Sequence, residues 1–362
     1  MKKAAFIFIF IILTILIIFR IYENKILVYN NYQTENLNIN SPSPIPSLIP
    51  QLTAKVIENN YHIFQTFNNC GPAALSMAFS YYGIAISQQQ LGQDLRPYQN
   101  PQGNNDDKSV TLEELAQKAR EFNLVPFHRP NGSIELIKQF ITHDIPVITR
   151  TRLTQNDDIG HFRIIKGFAD ITQEFIQDDS LQGHSLKYSY VQFLKIWQIF
   201  NYEYLVLVPA DKEPIARSIL GENADIKTAW ENAVKNSQKE LTENPDNIYA
   251  RFNLSIALYH TGDFKNAVLE FEQVENKLPF RTLWYQIEPI EAYYELGNYQ
   301  RVFDMTDKIF LNQNRAFSEL YVIRGEIYKK QGNLVAAKSE FEKSVFYNQN
   351  LKSAQQALEQ IL

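Results

Sequence analysis

Three glycines, Gly262, Gly297 and Gly332, stand 35 residues apart, and the pattern around them recurs with them. Each opens a Gly-Asp-Phe, Gly-Asn-Tyr or Gly-Asn-Leu step. Ala267, Val302 and Ala337 follow five residues on, and Phe271, Thr306 and Phe341 nine residues on. A fixed period of this length, with no strand signal beyond Pro209, restricts the C-terminal part to stacked helical hairpins. One hairpin cannot bury its apolar face alone, so neighbours must cover it. The glycine serves the tight turn between two helices, and the small residue lets them approach. Units are expected to begin near Ile248, Leu283 and Ser318, after a capping helix over Asp225–Glu243 that stops at Asn244-Pro245. The middle unit departs from the pattern, with Pro289 inside its first helix and Thr306 at an aromatic position.

The opposite end of the chain sets a different constraint. Met1-Lys2-Lys3 precede a charge-free run from Ala4 to Phe19, which Arg20 ends. As a helix these residues reach about 24 Å, and Ile21, Tyr22 and a snorkelling Arg20 extend them toward the ~30 Å of a bilayer core. The following RIYENKILVY has no A-x-A-like cleavage site, so residues 1–25 read as an uncleaved transmembrane signal anchor. The two lysines favour a cytoplasmic N-terminus and an extracytoplasmic body. Residues 26–53 are rich in Asn, Ser and Pro and read as an extended linker. A net charge of −5 without a basic stripe argues against nucleic acid as a partner. One cysteine excludes an internal disulfide and a multi-cysteine zinc site.

Between the linker and the hairpins, residues 54–213 mix both kinds of element. Pro72–Tyr82 reads as a buried helix with proline in its first turn and Gly83 at its end. Ser87-Gln-Gln-Gln90 and Thr111-Leu-Glu-Glu114 have the form of capping boxes, and Ser133 caps a third helix. Strands follow at Ile145–Thr149, Phe162–Phe168, Glu174–Gln177 and Tyr204–Val208. Helices first and strands second argue an α+β fold.

Cys70 stands just before Gly71-Pro72 and the buried helix. The free amides and positive end of a helix N-terminus favour a thiolate there, as a nucleophilic cysteine requires. Alone, it would more often be a small buried hydrophobe. Gln65, five residues upstream, can offer its amide to a developing oxyanion, with the Cys70 N–H as second donor. Among six histidines, His62 lies close upstream, His128 and His143 flank helices, His184 sits in a polar turn and His260 in the first hairpin. His161 differs, because it opens the strand HFRIIKGF. The turn around Ala169–Thr172 folds this strand against the next, so that residues summing to about 341 face each other. That register puts Asp178 and Asp179 beside His161, where a carboxylate holds the imidazole tautomer.

These residues carry a resemblance. Gln65 with Cys70-Gly71-Pro72, Gly160-His161-Phe162 and Asp179-Ser180 resemble the bacteriocin-processing, double-glycine leader peptidase family and its stand-alone relatives. Those are papain-like cysteine peptidases, and helix-then-antiparallel-sheet is their order. The resemblance implies Cys70 as nucleophile, His161 as base, Asp179 as orienting acid and Gln65 as oxyanion donor, with no cofactor. The glutamine stands one residue nearer the cysteine than in transporter-fused members. No transporter accompanies the domain here, so a leader-cleaving role is not implied. The C-terminal part, residues 214–362, is similar to tetratricopeptide repeats. The expected whole is a membrane-anchored α+β papain-like peptidase domain followed by an all-α repeat solenoid. Its partners would be a peptide or protein substrate, a protein on the repeats and the membrane. The competing expectation is a silent peptide-binding module or a repeat-based scaffold.

Overall fold

A helix whose residues are apolar on every side must be surrounded. Helix α1, Cys70–Ser80, is such a helix: every residue from Cys70 to Phe79 is buried. The computed structural model describes residues 52–100, 110–312 and 314–361. The expected anchor and all but the end of the linker lie outside the described residues. Among the described residues no helix is long and apolar enough to cross a membrane.

Around α1 the chain sets α2 (Gln88–Leu95), α3 (Leu112–Arg120), α4 (Ile134–Thr142), α5 (Tyr190–Trp197) and α6 (Glu213–Leu220) against a seven-stranded sheet. Its strands are β1 (Ala54–Val56), β2 (Val125–Arg129), β3 (Val147–Arg152), β4 (Gly160–Ala169), β5 (Glu174–Asp179), β6 (Gly183–Ser189) and β7 (Tyr204–Val208). They lie in the order β2-β7-β3-β4-β5-β6, with β1 continuing the edge of β4 beyond β3. Every pairing is antiparallel.

Alternation along the strands feeds two cores. Ile148, Phe162, Ile164, Leu205 and Leu207 pack with α1 and α3. Val147, Ile165, Phe168, Phe175 and Val206 pack with Phe140 of α4, Phe193 and Trp197 of α5, and Ala216 and Leu220 of α6. Both faces are covered, which is why β4 is buried along nearly its whole length. Each large apolar side chain so enclosed contributes about 1.5–3 kcal/mol.

Thr111 forms the complete capping box with Glu114. Ser87 and Ser133 each accept from the third residue on, at Gln90 and Leu136; at Ser87 only this half of the expected box is present. His128 is not beside a helix but within β2, whose Pro126 hid the strand. That proline is tolerated because β2 is an edge. His184 likewise belongs to the other edge strand, β6.

From Ile226 the chain is helical. Helix Ile226–Glu243 precedes hairpins Ile248–His260/Phe264–Glu272, Glu288–Glu295/Tyr299–Leu311 and Ser318–Lys330/Leu334–Tyr347. Gly262, Gly297 and Gly332 have φ of +85°, +72° and +78°, the left-handed turn between the two helices of each pair. Pro289 does not interrupt its helix. It opens Glu288–Glu295 at the first turn, and a separate short helix, Thr282–Tyr285, precedes it. Thr306 is buried, bonds Val302 O and accepts from Arg324. Residues 52–362 form one compact unit, and Ile199 and Phe200 of the sheet region sit in the same core as the hairpins.

Candidate active site

Cys70 is the first residue of α1, and no side chain caps this helix end. It is 6% exposed and forms no disulfide. Gly71 lies over Phe162 of β4: a Cβ there would be 3.4 Å from the Phe162 ring and 2.2 Å from a Val110 methyl. A larger residue would push the helix entrance off the strand. The entrance of α1 thereby crosses β4 at the residue after His161.

His161 pairs with Thr151 across β3–β4 and is 2% exposed. Its Nε2 donates to Asp179 Oδ1 at 2.8 Å. That bond leaves Nδ1 as the ring nitrogen with which to take a proton from a thiol. The same carboxylate oxygen accepts the backbone N–H groups of Leu181 and Gln182, each at 2.8 Å. Its other oxygen forms an ion pair with Arg163 Nε at 3.2 Å. Burial works to raise the Asp179 pKa, but the hydrogen bond and charge of His161, with Arg163, hold it at about 2. Burial pushes His161 below its ordinary value, against the pull of Asp179. The imidazole is therefore held neutral, ready to act as a base.

The register of β4 with β5 sums to 342 at Arg163–Asp179, one residue from the expected sum, before a bulge at Lys166. Strand alternation separates the two aspartates. Asp179 turns to His161, whereas Asp178 turns to Lys166 and His184, both at 2.9 Å.

Gln65 is fastened to this corner. Its N–H donates to Ser180 O at 2.7 Å, and Ser180 Oγ donates to its Oε1 at 2.8 Å. With Oε1 engaged, the amide nitrogen is the end left to donate. His62 adds a bond from Nε2 to Asp179 O at 2.9 Å. The remaining histidines are engaged elsewhere. His128 is bound by Glu113 and Glu203; burial lowers its pKa, and these bonds outweigh burial and bring it to about 9. His143 bonds Gln139 O, and His260 stacks on Trp230 at 3.8 Å. Among the described residues no His, Cys, Asp and Glu cluster is suited to a metal ion.

Sequence reasoning missed two arginines. Arg163, fully buried, bonds the carbonyls of Arg152 and Leu153 and forms its ion pair with Asp179. Arg150 lies on the face of Phe162, its guanidinium 5.6 Å from that ring. The signal was a pair of charges at inward positions of apolar strands, in VITRTR and HFRIIKGF.

A cysteine at a helix start, a neutral imidazole, a bound carboxylate and an amide donor thus lie on neighbouring elements of one domain. Residues 47–205 match the Peptidase_C39 like family. The match falls on the α+β part of the chain, which is C39-like over those residues, and a helical region follows it. Among solved structures, one described as a C39-like peptidase from Bacillus anthracis is 16% identical. It covers 43% of this chain and 97% of its own, with a TM-score of 0.37. The peptidase domain of Streptococcus ComA, a bifunctional ABC transporter of a quorum-sensing pathway, is 16% identical, covering 41% of this chain and 96% of its own (TM-score 0.32). A thermophilic TPR protein of Thermus thermophilus is 16% identical, covering 37% of this chain and 73% of its own (TM-score 0.30). No curated protein matches the chain by sequence.

Proposed function

We propose that the C39-like domain is a cysteine peptidase that hydrolyses a peptide or related amide bond. Cys70 attacks the carbonyl as its proton passes to His161 Nδ1. The Gln65 amide and the Cys70 N–H receive the oxyanion. His161 returns the proton to the leaving amine, and water releases the acyl-enzyme. Asp179 orients the imidazole throughout. The observation that carries this reading is the 2.8 Å bond from His161 Nε2 to Asp179, on the strand that crosses the entrance of the Cys70 helix.

The 35-residue period and its left-handed glycine turns support tetratricopeptide repeats as a docking surface for a protein or peptide. The apolar run over 4–19 supports a membrane anchor with an extracytoplasmic body. A second reading, a silent peptide-binding module, draws on the near-complete burial of both thiol and imidazole.

One experiment separates the two. The full-length chain, in detergent, is treated with an electrophilic peptide probe from about pH 5 to 9. Rapid labelling lost in both Cys70→Ala and His161→Ala is the enzyme's result. Labelling at the rate of a free thiol, indifferent to His161→Ala, leaves the binding module.

A further inference from the structure

The helical region meets the C39-like domain at the strand ends that carry the chemistry. Tyr285 lies against Gly160, the residue before His161. A Cβ at Gly160 would stand 3.2 Å from two Tyr285 ring carbons and 3.3 Å from Phe200. The Tyr285 carbonyl accepts from Arg150 Nη1 at 3.2 Å. The Arg150 guanidinium, buried, stands 5.0 Å from the Phe200 ring and 5.4 Å from the Tyr285 ring. Four residues before Tyr285, Arg281 forms a 2.7 Å ion pair with Asp158 in the β3–β4 connection. Arg152 lies 5.0 Å from the Tyr249 ring. All of these contacts fall on residues 150–160, the strand ends and loop beside His161.

Arg150 is on the α1 side of the sheet, opposite Phe162, whose ring underlies Gly71. Its Nε and Nη2 have no hydrogen-bond partner. A buried charge held by aromatic faces and one carbonyl acts strongly on its surroundings. The titratable groups whose charge acts on it are Glu203 before β7, Tyr285 itself, Glu288 of the helical region and Cys70.

We propose that Tyr285 is a positioning residue for the cysteine site: it holds Arg150 and the Gly160 end of β4, and so sets the charge and geometry in which Cys70 and His161 work. This rests on reading those two as nucleophile and base. On this view the helical region is a wall of the active site as well as a docking surface. Loss of the ring removes one of the three aromatic faces around Arg150 and the support of the Gly160 strand end, and displacements near 1 Å at a reacting pair cost up to about a hundredfold.

The test measures iodoacetamide alkylation of Cys70 against pH in the full-length chain in detergent, with thermal melting in parallel. Tyr285→Phe, which keeps the ring, is expected within about twofold of wild type, whereas Tyr285→Ala, which keeps the backbone carbonyl alone, slows alkylation roughly ten- to a hundredfold. In Tyr285→Ala the thiol limb of the profile also moves to higher pH, a change that general loosening would not produce. If Tyr285→Ala does not fold, Arg281→Ala at its partly exposed ion pair takes its place and is expected to slow alkylation several-fold, about threefold or more. Whichever variant is folded, a wild-type rate and profile in it overturns the proposal and leaves the roles of Cys70 and His161 standing. A wild-type thiol no faster than free cysteine and indifferent to His161→Ala removes those roles, and the proposal with them.

Discussion

Asp179 joins His161 to Arg163: one carboxylate oxygen takes the imidazole Nε2–H at 2.8 Å, and the other faces the guanidinium at 3.2 Å. The three side chains are almost completely buried, so the carboxylate both fixes the imidazole and compensates a buried cation. Asp179→Asn keeps the shape and removes the charge. Cys70 alkylation should fall roughly 10²–10⁴-fold, because the imidazole loses its tautomer control and the support for its charged form. Stability should fall by about 3–5 kcal/mol, because Arg163 is left uncompensated. Urea unfolding followed beside alkylation tests both. An undiminished rate in the folded variant would refute the orienting role.

The same pair sets a pH dependence. Burial depresses His161 below its ordinary ~6.5, so the neutral base persists into mildly acidic solution. The acid limb of the alkylation profile should therefore lie below about pH 6.5. In stability the depressed imidazole has the sign of a depressed carboxylate, since the unfolded state binds the proton more tightly. Its contribution is full above the unfolded value and declines as pH falls below about 6.5. Asp179, lowered from 3.8 to about 2, contributes above 3.8 and loses that contribution as pH falls toward 2. Urea midpoints measured from neutral to acid pH should decline in both windows, and Asp179→Asn should flatten the lower one. A profile rising toward acid would contradict this.

Features that depend on local chemistry were legible in the sequence. Proline near the start of α1, the Thr111 capping box and the 35-residue glycine period each act within a few residues of themselves. The edge strands β2 and β6 were not legible, because Pro126 and the half-exposed GHSLKYS lack clean alternation and owe their form to a neighbour. Turn length alone left Asp178 and Asp179 both open beside His161; the resemblance implied Asp179, and the observed register turns that residue to the imidazole. Arg150 and Tyr285 are 135 residues apart, and no local pattern marks such a pair.

Gln65 offers a way to divide the steps of the reaction. In the proposed reaction its amide nitrogen serves only when a tetrahedral oxyanion forms, and alkylation by iodoacetamide forms none. Gln65→Ala should leave alkylation of Cys70 nearly unchanged yet slow acylation by an activated ester roughly 10²–10³-fold. Ser180→Ala removes the hydroxyl that engages Oε1 and should produce a smaller loss in the same direction. Equal losses in both assays would place Gln65 in the local structure and not at the oxyanion.

Arg96 ties the C39-like domain to the last hairpin. It is 7% exposed and lies between Glu114, a member of the α3 capping box, and Glu319 of helix Ser318–Lys330, at 2.7 and 2.8 Å. Burial works to lower its pKa, but the two carboxylates outweigh it, so the guanidinium stays charged and needs both partners. Nearby, Asn348 donates to Leu95 O at 3.1 Å. Glu319→Ala removes one carboxylate and leaves the cation half compensated, for a loss of about 1–3 kcal/mol. Because the same core runs through Phe200 and the hairpins, that loss should appear in a single unfolding transition. Tryptophan fluorescence should detect it: Trp197 reports on the sheet region, and Trp230 and Trp284 on the helical region. Two separated transitions, with only the later hairpins destabilised, would show that Arg96 joins the parts without coupling them.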